Sequence, residues 1–159
     1  MKKHQVIIRL MKKKDLKELA KAYTRAYSIY NKWEHWNDER SYALLSYWHK
    51  RQPDLAFVAE LDKKVVGAFV AGIKPWWDGN HLVDGELVVD PDYQKKGIGT
   101  LLLKKVLEKS LSKYNANEWE ATTFKKTKFP LSWYTRLGFK EHKEWTIIGG
   151  NIKEALKKM

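Results

Sequence analysis

Cysteine is absent from the 159 residues. Disulfides, thiolate metal sites and a cysteine nucleophile are thereby excluded. A long apolar run near the start is also lacking. Val6–Leu10 is interrupted by Arg9 and is too short for a signal peptide or a membrane span. The cytoplasm is therefore the expected compartment, with no membrane partner. No internal repeat, low-complexity tract or linker divides the chain, and its length suits one domain, expected to span 1–159.

What the chain has in excess is positive charge, +12 at neutral pH. Such a balance favours polyanions: nucleic acid, an anionic membrane or a phosphate-rich cofactor. The lysines, however, are spread along the chain and interleaved with acids, as in KKKDLKELAK and KKVLEKSLSK. That pattern describes a solvated surface better than a binding stripe, so a nucleic-acid partner is not the expectation. Eight tryptophans are many for this length and suit both a core and the walls of a ligand pocket.

Periodicity sets the order of elements. Val6–Leu10 reads as a strand. From Asp15, apolar and aromatic residues at Leu16, Leu19, Ala20, Tyr23, Tyr27 and Tyr30 recur at helical steps. Asp38–His49 is a second expected helix. LAFVAEL and VVGAFVAGI form an expected hairpin through Asp62-Lys63-Lys64. Strands at His81–Val89, Asn117–Phe124 and Glu144–Ile148 follow, with helices at Gly97–Ser112, Leu131–Leu137 and Ile152–Lys158. The fold class is α/β with α+β mixing: a central, twisted, mixed and mostly antiparallel sheet flanked by helices, in the order β-α-α-β-β-β-α-β-α-β-α. A doubly wound nucleotide fold needs regular alternation from the start and is excluded.

LVVDPDYQKKGIGTLLL, Leu87–Leu103, carries the most chemistry. A strand ends at Val89, Asp90-Pro91-Asp92 turns, and Gln94–Gly99 leads into a helix. Glycines let backbone amides approach a ligand, and the helix start offers unpaired N–H groups with a positive dipole end. Lys95 and Lys96 add charge, which makes a pyrophosphate site. No Gly-Lys-Ser/Thr follows, so this is no P-loop, and the Rossmann fingerprint needs a further glycine.

Gln94, Gly97 and Gly99 match in order the acetyl-CoA motif of the GNAT superfamily of N-acetyltransferases: Arg or Gln, two residues, Gly, one residue, Gly or Ala. Trp133-Tyr134-Thr135-Arg136-Leu137-Gly138-Phe139 is similar to that family's aromatic-Tyr-x-x-x-Gly-Phe segment. The chain resembles this family from Val6 to at least Ile148. The resemblance implies an acetyl-CoA-dependent N-acetyltransferase acting on an amine of a small molecule or a peptide. It implies that amides of Gln94, Lys95, Lys96, Gly97, Ile98, Gly99 and Thr100 hold the pyrophosphate. It implies that the strand before them splays at a bulge, where backbone at Leu87, Val88 and Val89 bonds the pantetheine arm and the acetyl group. A backbone N–H near Val88 or Val89 would polarise the carbonyl. Thr127 stands where the family often carries Asn against the cofactor, and its hydroxyl is the candidate substitute. Tyr134 is the candidate acid for the departing thiolate.

Acetyl transfer from a thioester needs a neutral amine, a stabilised carbonyl oxygen and no covalent enzyme intermediate, so the missing cysteine is no obstacle. Asp84, Glu86 and Glu120 are the candidate bases, with Glu86 preferred, acting directly or through water. Strict alternation places Asp84 and Glu86 on one face, and a bulge would change that phase. No metal is expected. The resemblance implies that the first two helices and the loop after the third strand wall the acceptor site; there Tyr30, Trp33, Trp36, Trp76 and Trp77, with Glu34, Asp38 and Asp78 nearby, suit a cationic or amphipathic amine, and Tyr30, Trp33, Trp76 and Trp77 are the candidate acceptor contacts. A homodimer is an allowed assembly. Two alternatives compete: an acyl-CoA-binding sensor of the same fold without efficient turnover, and a basic nucleic-acid-binding module.

Overall fold

A computed structural model describes residues 5–30 and 32–159. They form two compact units, the first running to Thr122 and the second covering Thr123–Met159.

In the first unit, β1 (Ile7–Leu10) is followed by α1 (Leu16–Tyr30) and α2 (Asp38–Arg51). Then come β2 (Ala56–Leu61), β3 (Lys64–Trp76), β4 (Gly79–Val89), α3 (Ile98–Tyr114) and β5 (Ala116–Glu120). The five strands lie in sequence order in one sheet. The first four pair antiparallel, and β5 pairs parallel to β4 after the α3 crossover. The mixed sheet flanked by helices expected from the sequence is thus what the chain forms.

Alternation along the strands sorts the side chains between two layers of helix. Ala68, Val70 and Val88 join Leu19, Tyr23 and Ala26 of α1 and Leu45 and Trp48 of α2 in one buried cluster. The opposite face belongs to α3. A Cβ placed on Gly67 would lie 3.3 Å from Val89 Cγ2 and 3.4 Å from Leu102 Cδ1. Leu19, Leu45 and Leu102 are fully buried, so truncating any of them to alanine should cost about 2–5 kcal/mol.

Local chemistry fixes the element ends. Arg9 donates to both carboxylate oxygens of Asp15, at 2.8 and 3.0 Å, and to Glu60 at 2.8 Å, joining β1, β2 and the start of α1. Asp62 and Lys63 both take positive φ, 50° and 66°, and make the tight turn between β2 and β3. Asn37 caps α2 through a bond from the Arg40 N–H at 2.9 Å.

The feature that shapes the site is a bulge in β4. Val70 pairs with Glu86 and Gly72 with Val83, so Asp84 and Gly85 together oppose Ala71 alone. Both take positive φ, 45° and 87°. A Cβ on Gly85 would sit 1.8 Å from the Val70 carbonyl oxygen and 2.8 Å from Ala71 Cα, so only glycine fits there. The bulge lies at Asp84-Gly85 and not near Val88 or Val89, where the family resemblance put it. The reason is steric: the extra residue sits where β4 approaches the Val70 carbonyl so closely that a Cβ has no room.

Two expected strands change. β5 ends at Glu120 rather than Phe124, because its pairing stops where Glu120 meets Val83, the last β4 residue before the bulge. The strand expected at Glu144–Ile148 does not form, so the last β in the expected element order is corrected to an unpaired segment. A strand exists only as part of a ladder. The second unit holds α4 (Leu131–Arg136) and α5 (Ile152–Leu156) and, among the described residues, no strand to pair with this one.

Replacing Gly85 with alanine should therefore cost several kcal/mol of stability, or abolish folding, through a backbone clash and the positive φ together. Gly97→Ala, where a Cβ meets nothing within 4 Å, should cost only about 1 kcal/mol from its left-handed φ of 78°. Urea unfolding of the two variants checks the ordering, and equal losses would contradict it.

Candidate active site

The bulge divides β4 into two halves. Before it, Asn80–Val83 are held on both sides, by β3 and by β5. After it, Glu86–Val89 pair with β3 alone. The Asp90 N–H bonds the Val66 carbonyl at 2.9 Å, which sets the phase of the antiparallel ladder. By that phase Val88 and Glu86 turn their amides to β3, and Leu87 and Val89 turn theirs to the side that β5 has left. The Val88 side chain is buried in the core on the α1/α2 face.

The open edge runs into the helix turn. Asp90 caps a short 3-10 turn at Pro91–Tyr93 by accepting the Asp92 N–H at 3.1 Å. Lys95 and Gly97 take positive φ, 60° and 78°, and α3 starts at Ile98. Its first internal bond is from the Leu101 N–H to the Gly97 carbonyl, at 3.1 Å. The N–H groups of Ile98, Gly99 and Thr100 thus have no carbonyl of the helix to bond. Lys96 Nζ bonds the Asp92 carbonyl at 3.3 Å and lies 5.1 Å over the Tyr93 ring.

The Gln94 side chain is engaged within the protein. Its Nε2 donates to the Val89 carbonyl at 2.9 Å, and its Oε1 accepts from the Tyr30 hydroxyl at the end of α1. Gln94 therefore clips the loop to β4 and α1. The Val89 carbonyl is already engaged, which leaves the Leu87 N–H and carbonyl and the Val89 N–H along the open edge. Arg25 of α1 reinforces the clip through Asp90 at 3.4 Å and Asp92 at 2.8 Å.

Glu86 faces α1. Its Oε2 accepts from Tyr23 Oη at 2.8 Å and from Tyr27 Oη at 3.0 Å. Burial raises its pKa above the ordinary carboxylate value; the two phenols oppose the rise, and the Glu34 and Asp84 carboxylates add to it. A carboxyl held in this way suits proton abstraction nearer neutrality.

The other two candidate bases are placed differently. Asp84 sits exposed on the bulge, out of phase with Glu86. Glu120 accepts from His81 Nδ1 at 2.6 Å and lies 3.5 Å from Lys74 Nζ. Burial pushes its pKa up, but the His81 bond and Lys74 outweigh that and leave it lowered, which suits an ion-pair partner better than a base. His81 is buried, and its Nε2 meets Asp78 at 2.8 Å. Burial disfavours the charged ring, yet the two carboxylates prevail and raise its pKa.

Of the aromatic candidates, Trp76 and Trp77 occupy the tip of the β3–β4 hairpin. Trp76 is stacked by Lys74 at 4.2 Å, and Trp77 is 87% exposed. Trp33 is exposed after α1. Trp36 packs edge-on against Tyr23 and Tyr27, with centroids 5.2 and 6.1 Å away. Thr127 and Tyr134 belong to the second unit. There the Thr127 hydroxyl donates to the Phe129 carbonyl at 2.6 Å, and Tyr134, in α4, packs beside Trp133 at 4.8 Å and Phe139 at 6.3 Å. Among the described residues no cluster of His, Asp and Glu could hold a metal ion, and no helix is long and apolar enough to cross a membrane.

Comparison with known proteins gives the family to which this fold belongs. The model of the acetyltransferase (GNAT) family fits residues 15–139. The chain belongs to this family. An uncharacterised N-acetyltransferase of Methanocaldococcus jannaschii is 31% identical over 140 residues, 84% of this chain, and the chain spans about 60% of that relative's length. A crystal structure from Pyrococcus horikoshii has 28% identity and a TM-score of 0.73, covering 90% of this chain and 94% of that one. An aminoglycoside N-acetyltransferase solved with CoA has the same fold, with a TM-score of 0.68 at 19% identity, covering 95% and 97%. Within this GNAT chain, Tyr23, Tyr27 and His81 are the site-region residues to which periodicity and motifs gave no functional role.

The His81 cluster has a defined pH signature. A raised folded-state pKa means that the stability it contributes is full below the unfolded value, about 6.5, and is lost as pH rises through the folded value. His81→Gln should therefore lower stability more at pH 6 than at pH 9. Urea unfolding at the two pH values checks this, and a deficit that grows with pH would contradict it.

Proposed function

We propose that this chain is an acetyl-CoA-dependent N-acetyltransferase that moves an acetyl group directly onto a primary amine of a small molecule or a protein. The observation that carries the reading is the open β4 edge at Leu87 and Val89, flanked by the free N–H groups at the start of α3 and by Glu86. Family membership supports acyl transfer, and both units are read as one catalytic domain because the family match runs across their boundary. A cytoplasmic setting goes with this reading.

The donor set fits acetyl-CoA. N–H groups of Ile98, Gly99 and Thr100, with Lys95 and Lys96, suit a pyrophosphate, and nothing crowds the approach over Gly97. The strand edge at Leu87 and Val89 suits an arm rich in amides. Acetyl-CoA, when bound, supplies an acyl group activated as a thioester. Glu86 takes the proton from the amine, and a backbone N–H of the open edge stabilises the charge that develops on the carbonyl oxygen. Tyr134 is assigned the proton for the departing sulfur, on the motif that carries it. Thr127 is assigned a cofactor contact on the same ground. The acceptor is read as a cationic or amphipathic amine met by Tyr30, Trp33, Trp76 and Trp77.

A thiol-release assay over a panel of amines and peptides tests this. Acetyl-CoA should stabilise the protein, and at least one amine should release CoA. Glu86→Gln should lower kcat/KM by about 100-fold or more while acetyl-CoA affinity stays within about twofold. Stabilisation without thiol release from any amine would point to a sensor instead. For Tyr134→Phe, single-turnover rates with saturating amine should fall by about tenfold or more, near 1.4 kcal/mol of barrier. An unchanged rate would make Tyr134 a packing residue.

A further inference from the structure

Two phenols meet one oxygen of Glu86. Tyr23 and Tyr27 both donate to Oε2, whereas Oε1 takes no hydrogen bond among the described residues. The convergence is built into α1. Four residues apart, the two tyrosines share one helix face, and their rings stack with centroids 4.1 Å apart and planes 14° from parallel. Trp36 closes the group edge-on. Tyr23 is fully buried, so its hydroxyl has no water to turn to.

A carboxylate with equal oxygens rotates and offers either one to a proton. Here two donors fix the ring positions and the carboxylate plane together. A proton arriving on Oε2 would displace at least one of the two bonds, while a proton arriving on Oε1 displaces none. We propose that Tyr23 and Tyr27 are positioning residues that occupy Oε2 jointly, so that Oε1 alone receives the proton of the acceptor amine. The proposal rests on reading Glu86 as the base. In the step, the lone pair of the neutral amine forms the new N–C bond, the acyl C–S bond breaks with its pair leaving on the sulfur, and the N–H bond breaks with its pair staying on nitrogen while the proton goes to Oε1. Both phenols keep their own protons, because burial and the Glu86 charge push their ionisation upward.

The charged and titratable groups that face Glu86 are these two phenols from α1, Glu34 from the segment after α1, and Asp84 from the bulge. The carboxylates oppose ionisation and the phenols favour it. Removing one phenol should therefore move the Glu86 titration upward.

The test uses the whole chain with 13C-labelled glutamate side chains. Carboxyl chemical shifts are titrated without ligand, and the pH profile of kcat/KM is recorded for the same proteins. Tyr27→Phe keeps the ring and the stacking and deletes one donor. Its Glu86 titration should rise by about one pH unit, and the acid limb of kcat/KM should rise by the same amount. Tyr23→Phe should do likewise, and if that buried change prevents folding, Tyr27→Phe decides alone. A Glu86 titration that stays in place overturns the proposal and leaves Glu86 standing as the base. A titration that rises while the acid limb stays overturns Glu86 as the base, and the proposal with it.

Discussion

The close approach of Gly85 to the backbone of β3 is the constraint on which the rest depends. A side chain there would overlap the Val70 carbonyl at 1.8 Å, so the strand makes this crossing only with glycine. The extra residue turns β4 away from β5 after Val83. Without it, a parallel β5 would continue along β4 and consume the amides of Leu87 and Val89. With it, those amides have no strand partner on that side. A single unpaired strand edge is costly in most folds and is usually covered. Here it is left unpaired just before the loop that leads to a second set of free N–H groups at the start of α3, an arrangement suited to a long, amide-bearing, anionic ligand.

The same bulge sets the chemistry of Glu86. By shifting the strand's phase it separates Asp84, which is exposed, from Glu86, which turns to α1 and loses solvent. A lone buried carboxylate is unfavourable, and two phenols compensate only in part, so the group stays harder to ionise than in water. The balance lies between burial and hydrogen bonding and is local to α1 and β4. By contrast Glu120 is drawn the other way by His81 and Lys74 and belongs to an ion-pair network on the other side of the bulge. Two carboxylates on neighbouring strands thus differ in role because their surroundings differ. The net charge of +12 has little to do with either.

Much of this was legible in the sequence, and the rest was not for identifiable reasons. Gln94, Gly97 and Gly99 marked the loop before α3 because they match a family motif in order, with the Trp133–Phe139 segment matching a second one downstream. The glycine at position 85, inside a strand pattern and after an aspartate, was itself a bulge signal. It pointed to the correct place, which the family resemblance shifted three residues onward. Tyr23 and Tyr27 were read as ordinary members of an apolar helix face, and they are that as well. Their four-residue spacing is the same for a core and for a pair of donors, and only the position of Glu86 on β4 distinguishes the two. The alternation at Glu144–Ile148 carried a strand pattern, but a pattern supplies no partner. Gln94 is a motif residue whose side chain bonds Val89 and Tyr30, which its place in the motif alone does not reveal.

We propose that the amides freed by the bulge and those at the start of α3 serve one ligand. Backbone 1H–15N shifts of the whole chain, followed as CoA is added, test this most directly. The amides of Leu87, Val89, Ile98, Gly99 and Thr100 should move together with one saturation curve, while Val88, bonded to β3, should move little. Saturable CoA binding that leaves Leu87, Val89 and the start of α3 unshifted would contradict it.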